Sequence, residues 1–324
     1  MKDRDSNSHL LEIKNLKKFF YLKKGFRKRQ ALKAVDGVSF RLGLGEVLGV
    51  VGESGCGKTT LGRTILKLYE PTSGDIIFEG TNLSNLPAKE MTELRANMQI
   101  IFQDPYSSLN PRMTVGSMLN QILKAHGRTD RLERKMKCYE AMEKVGLEPV
   151  HLSRFPHEFS GGQRQRIAIA RALVLDPKFI VADEPSSALD MSIQAQILNV
   201  MKDLQKELNI SYLFITHNLA AARFICDSIA VMYLGKMVEM AKRSELFENP
   251  LHPYTKALLP LCPTPNPDGR FDKVPLTGEV PSPMNPPSGC RFNPRCVSKK
   301  GICEEEEPVF KEVNPGHFVA CHIV

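Results

Sequence analysis

An α/β fold built on a mainly parallel sheet is predicted for this chain by three observations. Stretches with the two-residue alternation of strands take turns with stretches of helical period over most of the sequence. One apolar strand runs directly into a glycine-rich turn that opens a helix, the order of a strand–turn–helix unit. The chain has 324 residues, 42% of them hydrophobic and 25% charged, which suffices for roughly two domains around a packed core. That composition excludes wholesale disorder, and no repeat or heptad run points to a fibre or solenoid.

The elements follow in order. Residues 11–16, 34–42 and 46–51 read as strands, and the third passes into a helical pattern from 58 to about 68. Residues 85–160 read mostly as helices, with turn signals at Asp104-Pro105 and Asn110-Pro111. A helix over 162–175 leads to the strand Phe179–Asp183, and a helix over 193–208 leads to a strand over 212–216. After about Leu259 the composition changes: residues 260–289 are rich in proline and poor in periodicity, which predicts an extended linker or wrapping arm. The apolar runs at 46–51 (EVLGVV) and 211–216 (SYLFIT) fall far short of the ~18 residues a membrane span needs. The N-terminal MKDRDSNSHL has no apolar core behind its charges, so a secretory signal is not expected and a soluble, cytosolic chain is.

Lys and Arg number 44 against 36 Asp and Glu, a formal charge of +8. Much of the excess sits early, at Lys14, Lys17, Lys18, Lys23, Lys24, Arg27, Lys28, Arg29 and Lys33. Such a balance suits nucleic acid, an anionic ligand or a lipid surface, and suits a solvated hairpin edge equally well. Charge alone decides nothing here.

The chemistry is more specific. Residues 52–59 read GESGCGKT, a full G-x-x-x-x-G-K-[ST] match. Gly52, Gly55 and Gly57 let the backbone curl through Glu53, Ser54 and Cys56 so that its N–H groups face a polyphosphate, and the helix that follows adds a favourable dipole. Lys58 reaches the β- and γ-phosphates, and the Thr59 hydroxyl, beside Thr60, can hold Mg²⁺. Cys56 lies where the backbone does the binding, so no redox role is read into it. A second half-site is FIVADE: Asp183 is placed to bind Mg²⁺ through water, and Glu184, one residue beyond the strand, can polarise an attacking water. Between them lies FSGGQ at 159–163, a serine and two glycines before a helix and therefore another anion-binding terminus. One nucleotide rarely needs two such loops from one chain, so this loop is expected to close over a nucleotide held by a second subunit.

Taken together, these segments resemble the ATP-binding subunit of an ABC transporter. The likeness rests on the glycine loop, Gln103, FSGGQ, VADEP at 181–185, SALD at 187–190 and His217 after a strand, and it covers roughly residues 10–250. The resemblance implies an ATPase core of the RecA-like kind, a mainly parallel sheet with an antiparallel β subdomain. It also implies a helical subdomain at about 104–158 that receives a coupling helix from a membrane partner. It implies that Gln103 opens the loop that senses Mg²⁺ and the attacking water. Ser160, Gly161, Gly162 and Gln163 would meet the nucleotide across a head-to-tail dimer, and Ser187 and Asp190 would lie on the loop joining the two sites. His217 would contact the γ-phosphate and help hold the water and Glu184. The aromatic that stacks on adenine falls by register at Phe20, with Phe19 and Tyr21 as neighbouring alternatives. Phe159 stands where leucine is commoner.

More narrowly, AVDGVSF at 34–40, GESGCGKTTLGR at 52–63, QDPYSSLNPRM at 103–113, NPLHPYTKALL at 249–259 and GCRFNPRC at 289–296 resemble the ATPases of bacterial oligopeptide, dipeptide and nickel importers. The resemblance implies a nucleotide-binding domain over 1–250 and a C-terminal extension over 251–324. It implies ATP hydrolysis that drives peptide import through two permease subunits, from the cytoplasmic side of the membrane and as a peripheral subunit. A second, related ATPase subunit (heterodimer, with a homodimer open) and an extracytoplasmic binding protein would complete the complex, without nucleic acid. A nickel or other small-solute importer, or a soluble non-transport ATPase of this type, is the alternative.

Four of the eight cysteines, Cys290, Cys296, Cys303 and Cys321, crowd into the end of the chain with spacing C-x5-C-x6-C-x17-C. A cytosolic protein is not expected to be held by disulfides, so clustered thiols point to metal. Four thiolates can close a zinc site or hold an iron–sulfur cluster. The gaps are wider than usual for zinc, and some relatives with this extension resemble iron–sulfur binders, so a 4Fe-4S cluster is the expectation, with zinc or no metal as the alternatives.

Overall fold

The computed structural model describes residues 9–24, 28–84, 86–261 and 278–324. Most of the expected linker at 260–289 lies outside the described residues, as do the N-terminal MKDRDSNS, Arg27 and Cys262. The chain gathers into two compact units, one within Met1–Leu42, Val47–Ser84 and Ile215–Val324, the other within Gly43–Glu46 and Asn85–Phe214.

In the first unit four strands form a sheet in the order Lys28–Gly43, His9–Lys24, Ser73–Phe78, Thr81–Asn82. His9–Lys24 runs antiparallel to Ser73–Phe78, with Leu11 opposite Phe78 and Ile13 opposite Ile76. Those four side chains are fully buried while Lys14 is exposed, the one-face-in alternation of a half-solvated antiparallel sheet. This is the antiparallel β portion expected of the fold.

A second sheet in this unit carries the glycine loop. Val47–Val51, buried at every position, pairs in parallel with Ser228–Tyr233, Leu48 opposite Ser228 and Val50 opposite Ala230. Ser228–Tyr233 turns through Leu234 and Gly235, both at positive φ (41° and 84°), into the antiparallel strand Lys236–Lys242. Two consecutive positive-φ residues match the right-handed twist of the flanking strands. Beyond Lys236–Lys242 the chain's last hairpin, Lys311–Asn314 and His317–Val319, continues the sheet, with Glu239 opposite Val319. Glu239 is wholly buried, and its carboxylate accepts the amides of Leu251 (2.7 Å) and His252 (2.9 Å) and meets His317 Nε2 at 2.8 Å. Several partners satisfy what would otherwise be a costly buried charge.

In the second unit Phe179–Asp183 lies between Met98–Ile101 and Ser211–Thr216. It runs parallel to Met98–Ile101, with Met98 opposite Phe179 and Ile101 opposite Ala182. The helices Val115–Ala125, Arg131–Lys144, Gly161–Leu173 and Met191–Leu208 accompany these strands. Thr114 and Asp130 begin the first two by accepting the amides of Ser117 (3.3 Å) and Glu133 (2.6 Å), the side-chain caps that orphan N–H groups require. Leu119, Leu123, Met142, Ile167 and Ala168 are buried. Met98–Ile101 corrects the largely helical expectation for 85–160. Four residues are too few to show an alternation, and the strand takes its state from its parallel partner rather than from local pattern.

Candidate functional site

The glycine loop is shaped by close backbone approaches. A Cβ on Gly57, at φ 107°, would lie 2.0 Å from the carbonyl oxygen of Ala34, and one on Gly52 would lie 2.2 Å from that of Met232. Only glycine fits between those strand ends, and Gly57 also takes a left-handed conformation that an L side chain rarely adopts. The helix Lys58–Ile65 starts at once behind it. Lys58 is 5% exposed, and its Nζ donates to the carbonyls of Gly52 (2.7 Å) and Glu53 (2.9 Å), so the amine is held inside the curl of the loop. Thr60 lies on the same first turn, where its carbonyl accepts the Thr64 hydroxyl (2.7 Å). Cys56 is buried, and burial pushes its thiol up, which fits a packing role.

The floor beneath the loop is Gly235, whose amide donates to the Cys56 carbonyl (2.8 Å) and whose own carbonyl accepts the Asp36 amide (2.8 Å). The Glu53 amide donates to the Tyr254 hydroxyl (3.0 Å), and Arg295 grips the Glu53 carboxylate with two nitrogens, at 2.7 and 3.1 Å. Neither Tyr254 nor Arg295 is singled out by sequence reasoning, although both lie in quoted segments, NPLHPYTKALL and GCRFNPRC. The signal available was an arginine between two clustered cysteines, with nothing in one sequence to say what it reaches.

Phe20 is half-buried and meets Tyr69 edge to face (5.5 Å between centroids), with Lys18 Nζ 5.0 Å from its ring centroid. Phe19 has Lys33 Nζ at 5.9 Å, and Tyr21 is 60% exposed. His217 is exposed just past Ser211–Thr216, followed by Asn218, whose side chain caps the helix Leu219–Ile225 by accepting the amides of Ala220 and Ala221.

In the second unit Asp183 ends the strand Phe179–Asp183 at 1% exposure. Glu184 follows at φ 47°, a left-handed turn that non-glycine residues enter at a cost. Its carbonyl accepts the Ser187 amide (3.2 Å), and its Oε2 accepts a hydrogen bond from Gln103 Nε2 (2.9 Å). Two residues far apart in sequence are thus joined, with the carboxylate aimed by an amide.

Ser160 and Gln163 form a reciprocal cap. The Ser160 hydroxyl accepts the Gln163 amide (3.3 Å), and the Gln163 side chain accepts the Ser160 amide (3.0 Å). A Cβ on Gly162 would stand 2.6 Å from Ile193 Cγ2, so glycine lets the helix Gly161–Leu173 approach Met191–Leu208 closely, while a Cβ on Gly161 would meet Leu189 at 3.4 Å. Phe159 is buried and packs edge to face on His151 (5.7 Å), a volume that accounts for the larger side chain. Asp190 is exposed at the start of Met191–Leu208, its carbonyl accepting the Gln194 amide (2.8 Å).

Cys290, Cys296, Cys303 and Cys321 are all free thiols. Burial raises Cys290 to about 11, with Cys321, Cys303 and Cys296 adding to the rise. Burial also raises Cys296 and Cys321, with Cys303 adding to both. Among the described residues no three His, Cys, Asp or Glu side chains are gathered as a metal-holding group. None of the described helices is long and apolar enough to cross a membrane.

Residues 35–187 match the family described as ABC transporter, and residues 238–303 match the oligopeptide/dipeptide transporter C-terminal region. The chain is 52% identical over 319 residues to the oligopeptide transport ATP-binding protein AppF of Bacillus subtilis, covering 97% of each chain. It is 50% identical to the dipeptide transport ATP-binding protein DppF of Haemophilus influenzae, again over 97% of each. Among solved structures it is similar to the dimeric cassette MJ0796 bound to ADP and Pi (TM-score 0.63, 29% identity, 72% of this chain and 98% of that one). It is also similar to cbiO1 of Clostridium perfringens, part of the cbiONQ complex (TM-score 0.63, 27% identity, 75% of this chain and 92% of that one).

Proposed function

The chain belongs to the ABC transporter family, in the branch that carries the oligopeptide/dipeptide transporter C-terminal region, and from that premise we propose that it hydrolyses ATP to power the import of di- and oligopeptides through separate permease subunits. The observation that carries the peptide reading is likeness over nearly the whole length, extension included, to proteins named for oligopeptide and dipeptide transport. The subunit sits on the cytoplasmic face of the membrane as a peripheral component. It works with two permeases, an extracytoplasmic binding protein and a second, related ATPase subunit. The nucleotide-binding domain takes residues 1–250, with its helical subdomain at about 104–158, and the extension takes 251–324. Reconstituting the chain with a peptide permease pair and binding protein in liposomes should give ATP-dependent uptake of a labelled dipeptide. Uptake of Ni²⁺ in place of peptide would overturn the cargo assignment.

The mechanism follows from the residues. The loop of Gly52, Glu53, Ser54, Gly55, Cys56, Gly57, Thr59 and Thr60 wraps the phosphates with backbone N–H groups other than that of Glu53, which Tyr254 holds. Lys58 exchanges its loop carbonyls for the β- and γ-phosphate oxygens. Phe20 stacks on the adenine. Glu184, aimed by Gln103, polarises the water that attacks the γ-phosphorus, and His217 steadies water and phosphate; the products are ADP and inorganic phosphate. Catalysis is positioning and charge stabilisation rather than covalent chemistry. Ser160, Gly161, Gly162 and Gln163 serve the nucleotide of the partner ATPase, with Ser187 and Asp190 on the loop that links the two. An oxygen donor set of Thr59, Asp183 and Gln103 suits Mg²⁺, and the near-complete burial of the Asp183 carboxylate fits a group that answers a cation. Held there, Mg²⁺ would supply positive charge against the phosphates.

We propose a 4Fe-4S cluster at the four terminal cysteines on their number and spacing, although the structure does not gather them as a metal-holding group. All four are unbridged thiols, and Cys321, Cys303 and Cys296 each help to raise Cys290. Zinc is the alternative occupant. Cys296→Ser should remove most of the iron and sulfide that copurify without oxygen. Unchanged metal content in that variant, or none in the parent, would discard the site.

A further inference from the structure

The segment between the first two clustered cysteines reaches the glycine loop from behind. Arg295 is 5% exposed and makes a bidentate ion pair with Glu53, which is 26% exposed, while its Nη1 also lies 3.5 Å from the Tyr233 hydroxyl. Four residues earlier, Arg291 pairs with the buried carboxylate of Asp36 and donates to the carbonyl of Leu234. Leu234 precedes Gly235, whose amide supports the Cys56 carbonyl. Between the two arginines Phe292 is buried against Tyr233 and Tyr254 (5.3 Å to each ring centroid), and the Tyr254 hydroxyl accepts the Glu53 amide. One short segment thus holds both ends of the curl: its side chains fix Glu53 directly and the floor under Cys56 through Leu234.

The charge arrangement has a direct chemical sense. Glu53 is the second residue of a loop that must admit three or four phosphate charges, and a free carboxylate there repels them. A planar guanidinium is suited to a half-buried carboxylate because it satisfies both oxygens and fixes their plane. Resting on the ATPase reading above, we infer that Arg295 is a positioning residue of the nucleotide site, supplied by the C-terminal extension, which neutralises Glu53 and holds the glycine loop open for the phosphates. Arg295 acts on the nucleotide through Glu53.

The test is a two-residue cycle on the full chain, reading ATP affinity with a fluorescent ATP analogue and turnover by phosphate release. Arg295→Ala is expected to raise KM for ATP about tenfold, because an unpaired half-buried carboxylate is left facing phosphate, while kcat changes less than about twofold. Arg295→Lys should recover part of that loss, since the charge returns without the fork. In a Glu53→Gln background, where nothing remains to neutralise, Arg295→Ala should change KM by less than about twofold. A collapse of the extension would raise KM equally in both backgrounds, and that result overturns the inference, as does an unchanged KM in Arg295→Ala. Absence of ATP binding and hydrolysis in the parent protein would instead overturn the ATPase reading, and the inference with it.

Discussion

Glu184→Gln is expected to lower ATP turnover by about 10²- to 10³-fold while nucleotide binding stays within about twofold of the parent. Gln103 Nε2 donates to Glu184 Oε2, and the amide oxygen of a glutamine at 184 can accept the same hydrogen bond. The substitution therefore keeps size and aim and removes only the negative charge that polarises water. Because ATP is bound and not consumed, a head-to-tail dimer with the related ATPase subunit, closed over nucleotide, should persist, visible as a shift in mass by light scattering when both subunits are mixed with Mg²⁺ and ATP. Phosphate release at the parent rate would remove Glu184 from the mechanism. Because the substitution removes a charge that acts on the attacking water and not on nucleotide binding, the loss belongs to kcat rather than to KM.

Lys58→Ala should weaken ATP binding by about 2–3 kcal/mol, the scale of a hydrogen bond to a charged group, or roughly 30- to 150-fold. The Nζ of Lys58 bridges the Gly52 and Glu53 carbonyls. Its removal costs the loop a tie as well as the phosphates a counter-charge. Thermal unfolding separates the two effects. Without nucleotide the melting temperature should fall by only a few degrees, whereas the stabilisation that ATP gives the parent protein through mass action should almost vanish. A full ATP-dependent shift in the variant would contradict the role given to Lys58.

The sequence displays the hydrolytic half of this protein unusually openly, because phosphate chemistry demands particular residues at fixed local spacing. The glycine loop, the strand Phe179–Asp183 and the helix from Ser160 are each legible within ten or so neighbouring residues, and the strand falls where the periodicity puts it. What stays hidden is whatever depends on partners distant in the chain. Met98–Ile101 is a strand because a buried strand lies beside it, and Ser228–Tyr233 and Lys236–Lys242 are recognised only once the positive-φ pair Leu234 and Gly235 is seen. The ion pair of Arg295 with Glu53 spans most of the chain. One sequence shows the two charges and gives no reason to join them. The terminal hairpin escapes for another reason: Lys311–Asn314 and His317–Val319 are too short for any period to show.

That hairpin also changes which strand forms the edge of its sheet. Lys236–Lys242 would otherwise end its sheet with a row of bare amides and carbonyls, an invitation to a strand from another molecule. Met240 pairs with Phe318 and Glu239 with Val319, and beneath them His317 closes on the Glu239 carboxylate. The hairpin therefore hands the outer edge to Lys311–Asn314, a strand of only four residues. A truncation that spares every ATP-binding residue but removes the hairpin leaves a sticky margin and strips one partner from a buried carboxylate in the same stroke. The margin of this sheet is in that sense set away from the loop that does the chemistry.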